Sequence, residues 1–316
     1  MTAEIFQVDF VISLIAGMVR ISTPLLLAAL GELVVERSGL MNLGVEGLML
    51  MGSFVGFITA YLTNSLWLGL IAAGLAAGLM SILFAILTST LKADQTVTGL
   101  AINILSSGLT FYIYRVVFKN LGTSNLPNIK IFQEVSIPLL SKIPIIGPSF
   151  FKQSPLTFIA LLMVLVIYWF LYKTKYGLIL RCIGDNPRAM DMKGIQIGVY
   201  QYLAVFFGGL MAGFGGAFLT ISSAGLFLPD ITGGRGWIAI AIVIFGNWNP
   251  FLILLASWFF GLLDTFQLQI QGLGVQMPYQ ILLALPYVLT IAAITIGRQN
   301  SGSPLNLGVP YKREEK

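Results

Sequence analysis

Apolar positions in this chain gather into runs of about twenty residues, separated by short polar or glycine-rich breaks, from near its first residue almost to its last. As a helix, each run is long enough to cross a hydrocarbon core about 30 Å thick. Runs bounded by charge or turn residues fall near 11–30, 40–62, 66–91, 97–118, 156–171, 200–221, 237–245, 251–266 and 281–296. The pattern predicts an all-α integral membrane protein, a polytopic helical bundle of nine transmembrane segments within a range of eight to ten, forming one domain over 1–316. The run 237–245 is too short to cross and predicts a half-helix or re-entrant segment.

Composition agrees: 57% of residues are hydrophobic and only 10% charged, with a mean hydropathy of +0.88, where soluble domains carry about 25% charged residues. A net charge of +5 would suggest nucleic acid in a soluble protein. Here the basic residues lie between and after spans, so the partner they imply is membrane lipid and no nucleic acid is expected. Lys173, Lys175, Arg181, Arg188 and Lys193 make 173–198 the densest basic loop, which assigns it to the cytoplasm. Counting spans from there puts the N-terminus outside and the tail 298–316, with Arg298, Lys312 and Arg313, inside. Parity leaves the loop 119–154 outside although it carries four lysines. Its proline-broken stretch 136–148 is either a lid over the outer mouth of a pathway or a surface loop packed on its own helices. Glu4 and Asp9, with no Lys or Arg among the first ten residues, are the wrong charge for a signal peptide, so the first span is expected to be retained.

Several chemistries are excluded by inventory. The chain has no histidine and one cysteine, Cys182, which removes His-based metal sites, Ser-His and Cys-His pairs and an internal disulfide. It has no GxxxxGK[ST] phosphate loop and no evident chain of buried proton carriers. No enzyme activity and no cofactor bound by this chain are expected; if it pumps, the energy comes from another subunit.

Four segments carry candidate function. In RCIGDNPRAMDMKGI (181–195), Asn186 suits a helix N-cap, Pro187 the first helical position and Gly194 a left-handed exit, which predicts a short polar helix that a soluble partner can grip. In ERSGLMNLGVEGLML, Asn42 and Glu46 are four residues apart and so share a helical face, after an opening interrupted by Gly39 and Gly44. Glu46 either lines a polar pathway or hydrogen-bonds a neighbouring helix near the interface. In LPDITGGRGWIAIAIVIFGNWNP, Asp230 and Arg235 flank a glycine pair before the half-length run that Trp237 opens, the pattern by which membrane proteins bring helix ends to a central site. Asn103, with Thr96, Thr98, Ser106 and Ser107 around it, either contacts an uncharged solute or joins helices. Glycines at helix-contact spacing (52/56, 74/78, 209/213) predict close helix packing.

The succession SGLMNLGVEGLMLMGSF, QTVTGLAINIL, IGDNPRAMDMKGI and GGRGWIAIAIVIFGNW, spread in order from Ser38 to Trp248, resembles the permease subunits of bacterial ABC importers in the ribose and branched-chain amino acid permease superfamily, nearest the simple-sugar and nucleoside branch. The resemblance implies a multi-pass subunit of the bacterial cell membrane that pairs with a second, homologous permease in a heterodimer. It also implies an ABC ATPase subunit, which holds ATP and magnesium, and an extracytoplasmic solute-binding lipoprotein that delivers the cargo. Gly184, Asp185, Asn186, Pro187, Arg188, Ala189 and Gly194 then form the coupling helix seated on the ATPase, with Asp185 where Glu is common and Met190 where a smaller residue is usual. Asn42, Glu46, Asn103, Arg235 and Trp237 become candidates for the translocation pathway of a small polar solute, nucleosides before ribose-like sugars, moved by alternating access. Two other classes stay open on the residues alone: a stand-alone ion-coupled transporter, and an intramembrane enzyme using Glu46 and Asp264.

Overall fold

Lipid offers the backbone no hydrogen bonds, so an apolar run placed in it folds as a helix that satisfies its own amides. The structure, a computed structural model, describes residues 8–119, 127–138, 141, 143, 146–272 and 302–311. Among these, seven helices are long and apolar enough to cross a membrane, with one shorter apolar helix. They are α1 (Val8–Arg37), α2 (Val45–Thr63), α3 (Leu66–Ala85, continued by a π-helical turn to Thr90), α4 (Gln95–Val117), α6 (Pro155–Lys173), α9 (Ile197–Ala217, continued to Ala224) and α11 (Pro250–Gly272). The short apolar helix is α10 (Arg235–Phe245). Three further helices, α5 (Ile146–Phe150), α7 (Lys175–Asp185) and α8 (Pro187–Met192), lie between spans, and β1 (Val135–Ser136) pairs antiparallel with β2 (Lys152–Gln153). The run expected at 281–296 lies outside the described residues.

α1 is the post on which the bundle is built. It packs against α9, α11, α10, α6 and α7, and from Leu25 to Val35 its apolar side chains are at most 4% exposed. The sequence reading ended this span at Leu30 because Glu32, Glu36 and Arg37 follow; the helix instead runs on to Arg37 with both glutamates buried. The second span, read from Leu40, starts five residues later at Val45 because 38–44 is not helical. Asn42 therefore precedes the helix that carries Glu46, and the two do not share a helical face as the spacing had suggested. The cause is local: Asn42 Oδ1 accepts the Gly44 amide at 2.9 Å, a turn bond that competes with helix formation.

α2, α3 and α9 close on one another through the spaced glycines. A Cβ on Gly216 would lie 1.8 Å from the Met49 carbonyl oxygen, and one on Gly52 would lie 2.4 Å from that of Gly213. Hydroxyls seal the same contact, with Ser53 Oγ donating to Gly216 O at 2.8 Å and Ser81 Oγ to Val205 O at 2.9 Å. At one end of the bundle the described parts of 127–153 pack on their own helices: Gln153 Nε2 donates to Ala16 O at 3.2 Å, and the Ile129 amide to Gly225 O at 2.8 Å. The other, basic end carries α7 and α8.

Gly216→Val should destabilise the protein by about 3 kcal/mol, because backbone and not a movable side chain faces the new methyl groups. Thermal unfolding in detergent, followed by the loss of a monodisperse size-exclusion peak, measures it.

Candidate functional site

The break 38–44 is buried backbone at membrane depth, and lipid tolerates that only where protein groups satisfy it. Side chains from two helices do so. Glu32 Oε1 accepts the Asn42 amide at 2.9 Å and Gln95 Oε1 accepts the Met41 amide at 2.8 Å. Asn103 works in both directions, its Oδ1 accepting from Gly47 N at 2.7 Å and its Nδ2 donating to Leu43 O at 2.8 Å. Asn103 lies eight residues into α4, so the break and the start of α2 reach about 12 Å in from the basic end.

At that depth a second interrupted helix begins. α10 follows Gly233 and Gly234 at φ +54° and +82°, which only glycine adopts at no steric cost. With eleven residues it is about 16 Å long, half a crossing. Its first amides point at one carboxylate: Glu46 Oε1 accepts from Gly234 N at 2.9 Å, and Oε2 from Gly236 N at 2.6 Å. Glu46 is also the second residue of α2. The positive ends of two helix dipoles therefore converge on a single side chain, an arrangement that suits a carboxylate. A Cβ on Gly236 would lie 2.4 Å from Glu46 Cα, so glycine is what lets the two backbones meet. Both oxygens of Glu46 thus bond the neighbouring helix. Arg235 turns back onto its own loop, donating to Thr232 O at 3.1 Å, and Trp237 is 41% exposed on the outer side of α10.

Beside this junction, Leu50, Ser107, Gly108, Thr110, Phe111, Pro229 and Asp230 line a crevice of about 220 Å³ of mixed polar and apolar character. Asp230 is exposed at its rim. The helix that supplies most of the lining, α4, is the least buried of the long ones, with Val97, Ile104 and Tyr112 each about two-thirds exposed or more, at 66%, 75% and 67%.

At the basic end the predicted cap geometry is present. Asn186 Oδ1 accepts from Ala189 N at 3.1 Å, Pro187 opens α8, and Gly194 leaves it at φ +77° with its amide on Asp191 O. Gly184 and Asp185 end a helix that the sequence reading did not foresee, α7, which Thr174 caps through a 3.1 Å bond from Gly177 N. Together α7 and α8 form an elbow. Met190 is buried with Ile183 and Ile197, with Cys182 packed at the edge of that cluster, while Arg188 and Met192 face outward.

Two residues of the post that the sequence pattern does not single out bind the turn after α10 and Gly302. Glu36 accepts from the Trp248 indole nitrogen, and Arg37 donates to Trp248 O at 2.7 Å and to Gly302 O at 3.1 Å. The four-residue interval between Glu32 and Glu36, on one face of a helix otherwise apolar around them, is the signal that could have found them.

Residues 14–294 match the family of branched-chain amino acid transport system permease components. The chain belongs to that family. The permease is 36% identical to the guanosine ABC transporter permease protein NupQ of Bacillus subtilis, over 92% of this chain and 93% of that one. It is 33% identical to the nucleoside ABC transporter permease protein NupC of Lactococcus lactis (94% and 96%), and 35% identical to TsgC13 of Haloferax volcanii, a permease protein assigned provisionally to a glucose ABC transporter (97% and 99%). A second permease protein of the guanosine transporter in the same Bacillus is similar at 27%, over 77% of this chain and 70% of its own. No solved structure matches the permease. It is a membrane subunit of an ABC importer, a transport component and not an enzyme.

Glu46→Ala leaves two amides without an acceptor and should lower stability by about 2–4 kcal/mol, while Glu46→Gln, whose amide oxygen can still accept, should lose about half as much. Thermal unfolding of the two variants side by side provides the measurement.

Proposed function

We propose that this permease forms half of an ATP-driven import pathway for a neutral, hydroxyl-bearing solute, and that the solute is a nucleoside. The supporting observation is the occupied end of α10. A half-helix terminus is the natural seat for an anionic solute group, and here Glu46 takes both amides. A solute carrying a carboxylate, such as a branched-chain amino acid, has no free helix terminus to bind at this junction, whereas a neutral solute needs none. The crevice beside it offers the Ser107 hydroxyl, the Asp230 carboxylate as an acceptor, and the Phe111 ring. The guanosine and nucleoside relatives favour a nucleoside. A simple sugar is the second reading, favoured by the glucose-assigned relative and compatible with the same neutral chemistry.

The rest of the assembly follows from the same reading. The loop 173–198 lies in the cytoplasm, where α8 and Arg188 dock on an ABC ATPase subunit that binds ATP and magnesium. The N-terminus and 119–154 lie outside, facing a solute-binding lipoprotein, and 298–316 lies inside. Nine crossings, counting α10 and 281–296, satisfy this arrangement in the cell membrane of a bacterium. The two unequal matches to the guanosine transporter's permeases, 36% and 27%, support pairing with a different homologous chain. The exposed face of α4 is where that partner packs, with Asn42 and Asn103 holding the pathway wall from behind.

In proteoliposomes holding both permeases, the ATPase and the binding protein, ATP-dependent uptake of labelled guanosine should exceed that of isoleucine by at least tenfold. Glucose uptake above guanosine would favour the sugar reading, and isoleucine uptake above both would refute a neutral cargo. Arg188→Glu should leave uptake at about one-tenth of normal if α8 docks on the ATPase; equal uptake and ATP hydrolysis would remove Arg188 from that contact.

A further inference from the structure

Ten residues far along the chain, 302–311, touch nearly every moving part that the importer reading requires. The Gly302 amide donates to Asn247 Oδ1 at 2.5 Å, just beyond α10, and Gly302 O accepts from Arg37. Asn306 then grips the end of α7 twice, its backbone amide on Gly184 O at 2.9 Å and its Nδ2 on Asp185 O at 2.7 Å. Those are carbonyls that a helix end leaves without intrahelical partners, so Asn306 caps α7 from a distant part of the chain. Two residues later the Gly308 amide donates to Gly39 O at 3.0 Å, at the start of the buried break. Tyr311 completes the run, with its hydroxyl on Asp191 Oδ2 of α8 at 2.9 Å and its ring against the Ile183, Met190 and Ile197 cluster. The crossing is tight: a Cβ on Gly184 would lie 2.5 Å from Arg37 O and 3.1 Å from Pro304 Cβ.

We infer that 302–311 is a strap through which movement of the α7–α8 elbow reaches the broken-helix junction, and that Asn306 is its positioning residue. This inference rests on the proposal that α8 docks on an ATPase. α7 also packs directly on the break, where a Cβ on Gly39 would lie 3.4 Å from Gly184 Cα, but the hydrogen bonds that link Gly184 and Asp185 to Gly39 run through the strap. Force on α8 therefore passes to Asp185 and Gly184, through Asn306 to Gly308, and so to Gly39 and the segment that ends at Glu46. Without the Asn306 side chain the bond to Asp185 O is lost and only the backbone bond to Gly184 O remains, so the elbow still moves when ATP is hydrolysed but the break follows it less closely.

The test uses the complete reconstituted importer and reads solute imported per ATP hydrolysed, a ratio that a loss of folded protein alone does not change. Asn306→Ala should assemble at normal yield, keep basal ATP hydrolysis within twofold, and lower the ratio at least fivefold. Asn306→Asp, which keeps the size and loses the donor, should do the same. Tyr311→Phe keeps the ring and removes one donor, so a decrease of about twofold is expected from a variant that should fold. Unchanged ratios in all three variants overturn the strap, and so does a decrease that only tracks yield. If the unsubstituted importer itself shows no link between ATP hydrolysis and uptake, the docking proposal fails instead.

Discussion

One carboxylate decides whether this bundle can hold two interrupted helices. α2 starts and α10 starts at nearly the same point inside the membrane region, and each presents unsatisfied amides there. Lipid accepts nothing, so acceptors must come from the protein. Glu46, in the first turn of α2, supplies both of its oxygens to the first amides of α10. Glu32, Gln95 and Asn103 extend the same principle to the chain leading into α2 and to its first turn. The polar residues of this membrane protein thus serve mainly to let backbone be non-helical where it would otherwise be forbidden.

Around this polar junction the protein is built in two textures. α2, α3 and α9 meet glycine to glycine, with carbonyls and hydroxyls closing the remaining gaps, and that contact has little freedom to deform. The end of α1 and the turn after α10 meet instead through single hydrogen bonds made by the long side chains of Arg37 and Glu36. Bonds of this kind can exchange partners at modest cost, whereas interdigitated backbones cannot. Rigid packing on one side and exchangeable bonds on the other divide a machine into a frame and a linkage.

Much of this plan was legible in the sequence, for reasons that can be stated residue by residue. Run length alone placed the crossing helices because lipid thickness fixes it. Gly233, Gly234 and Asn249-Pro250 marked α10 as a half-helix, and Asn186, Pro187 and Gly194 gave both ends of α8, because caps and breakers act over a few neighbouring residues. What failed were contacts at long range. Glu46 lies 188 residues from Gly234 in sequence, and nothing local announces the pairing. Glu32 and Glu36 lie past the end predicted for the first span, yet the helix runs on through them and tertiary partners bury them. The strap was invisible because it has no apolar period and binds largely through its backbone, which every sequence possesses. α7 was missed because an amphipathic helix at an interface lacks the uniform apolar run that signals a crossing.

The strap also sets an order of events in the life of the chain. A ribosome releases Gly39 and Gly184 long before it makes Asn306 and Gly308, and most membrane helices are laid down in between. Until Asn306 and Gly308 are in place, Gly184 O, Asp185 O and Gly39 O lack the bonds they have in the folded protein. The glycine-lined contact of α2, α3 and α9 needs no residue of the strap, so that frame can pack before the strap closes on the elbow. The bonds that fix the ends of α7 and α8 to the strap thus span 121 and 120 residues of sequence, so the elbow takes its final position only when distant parts of one chain have met.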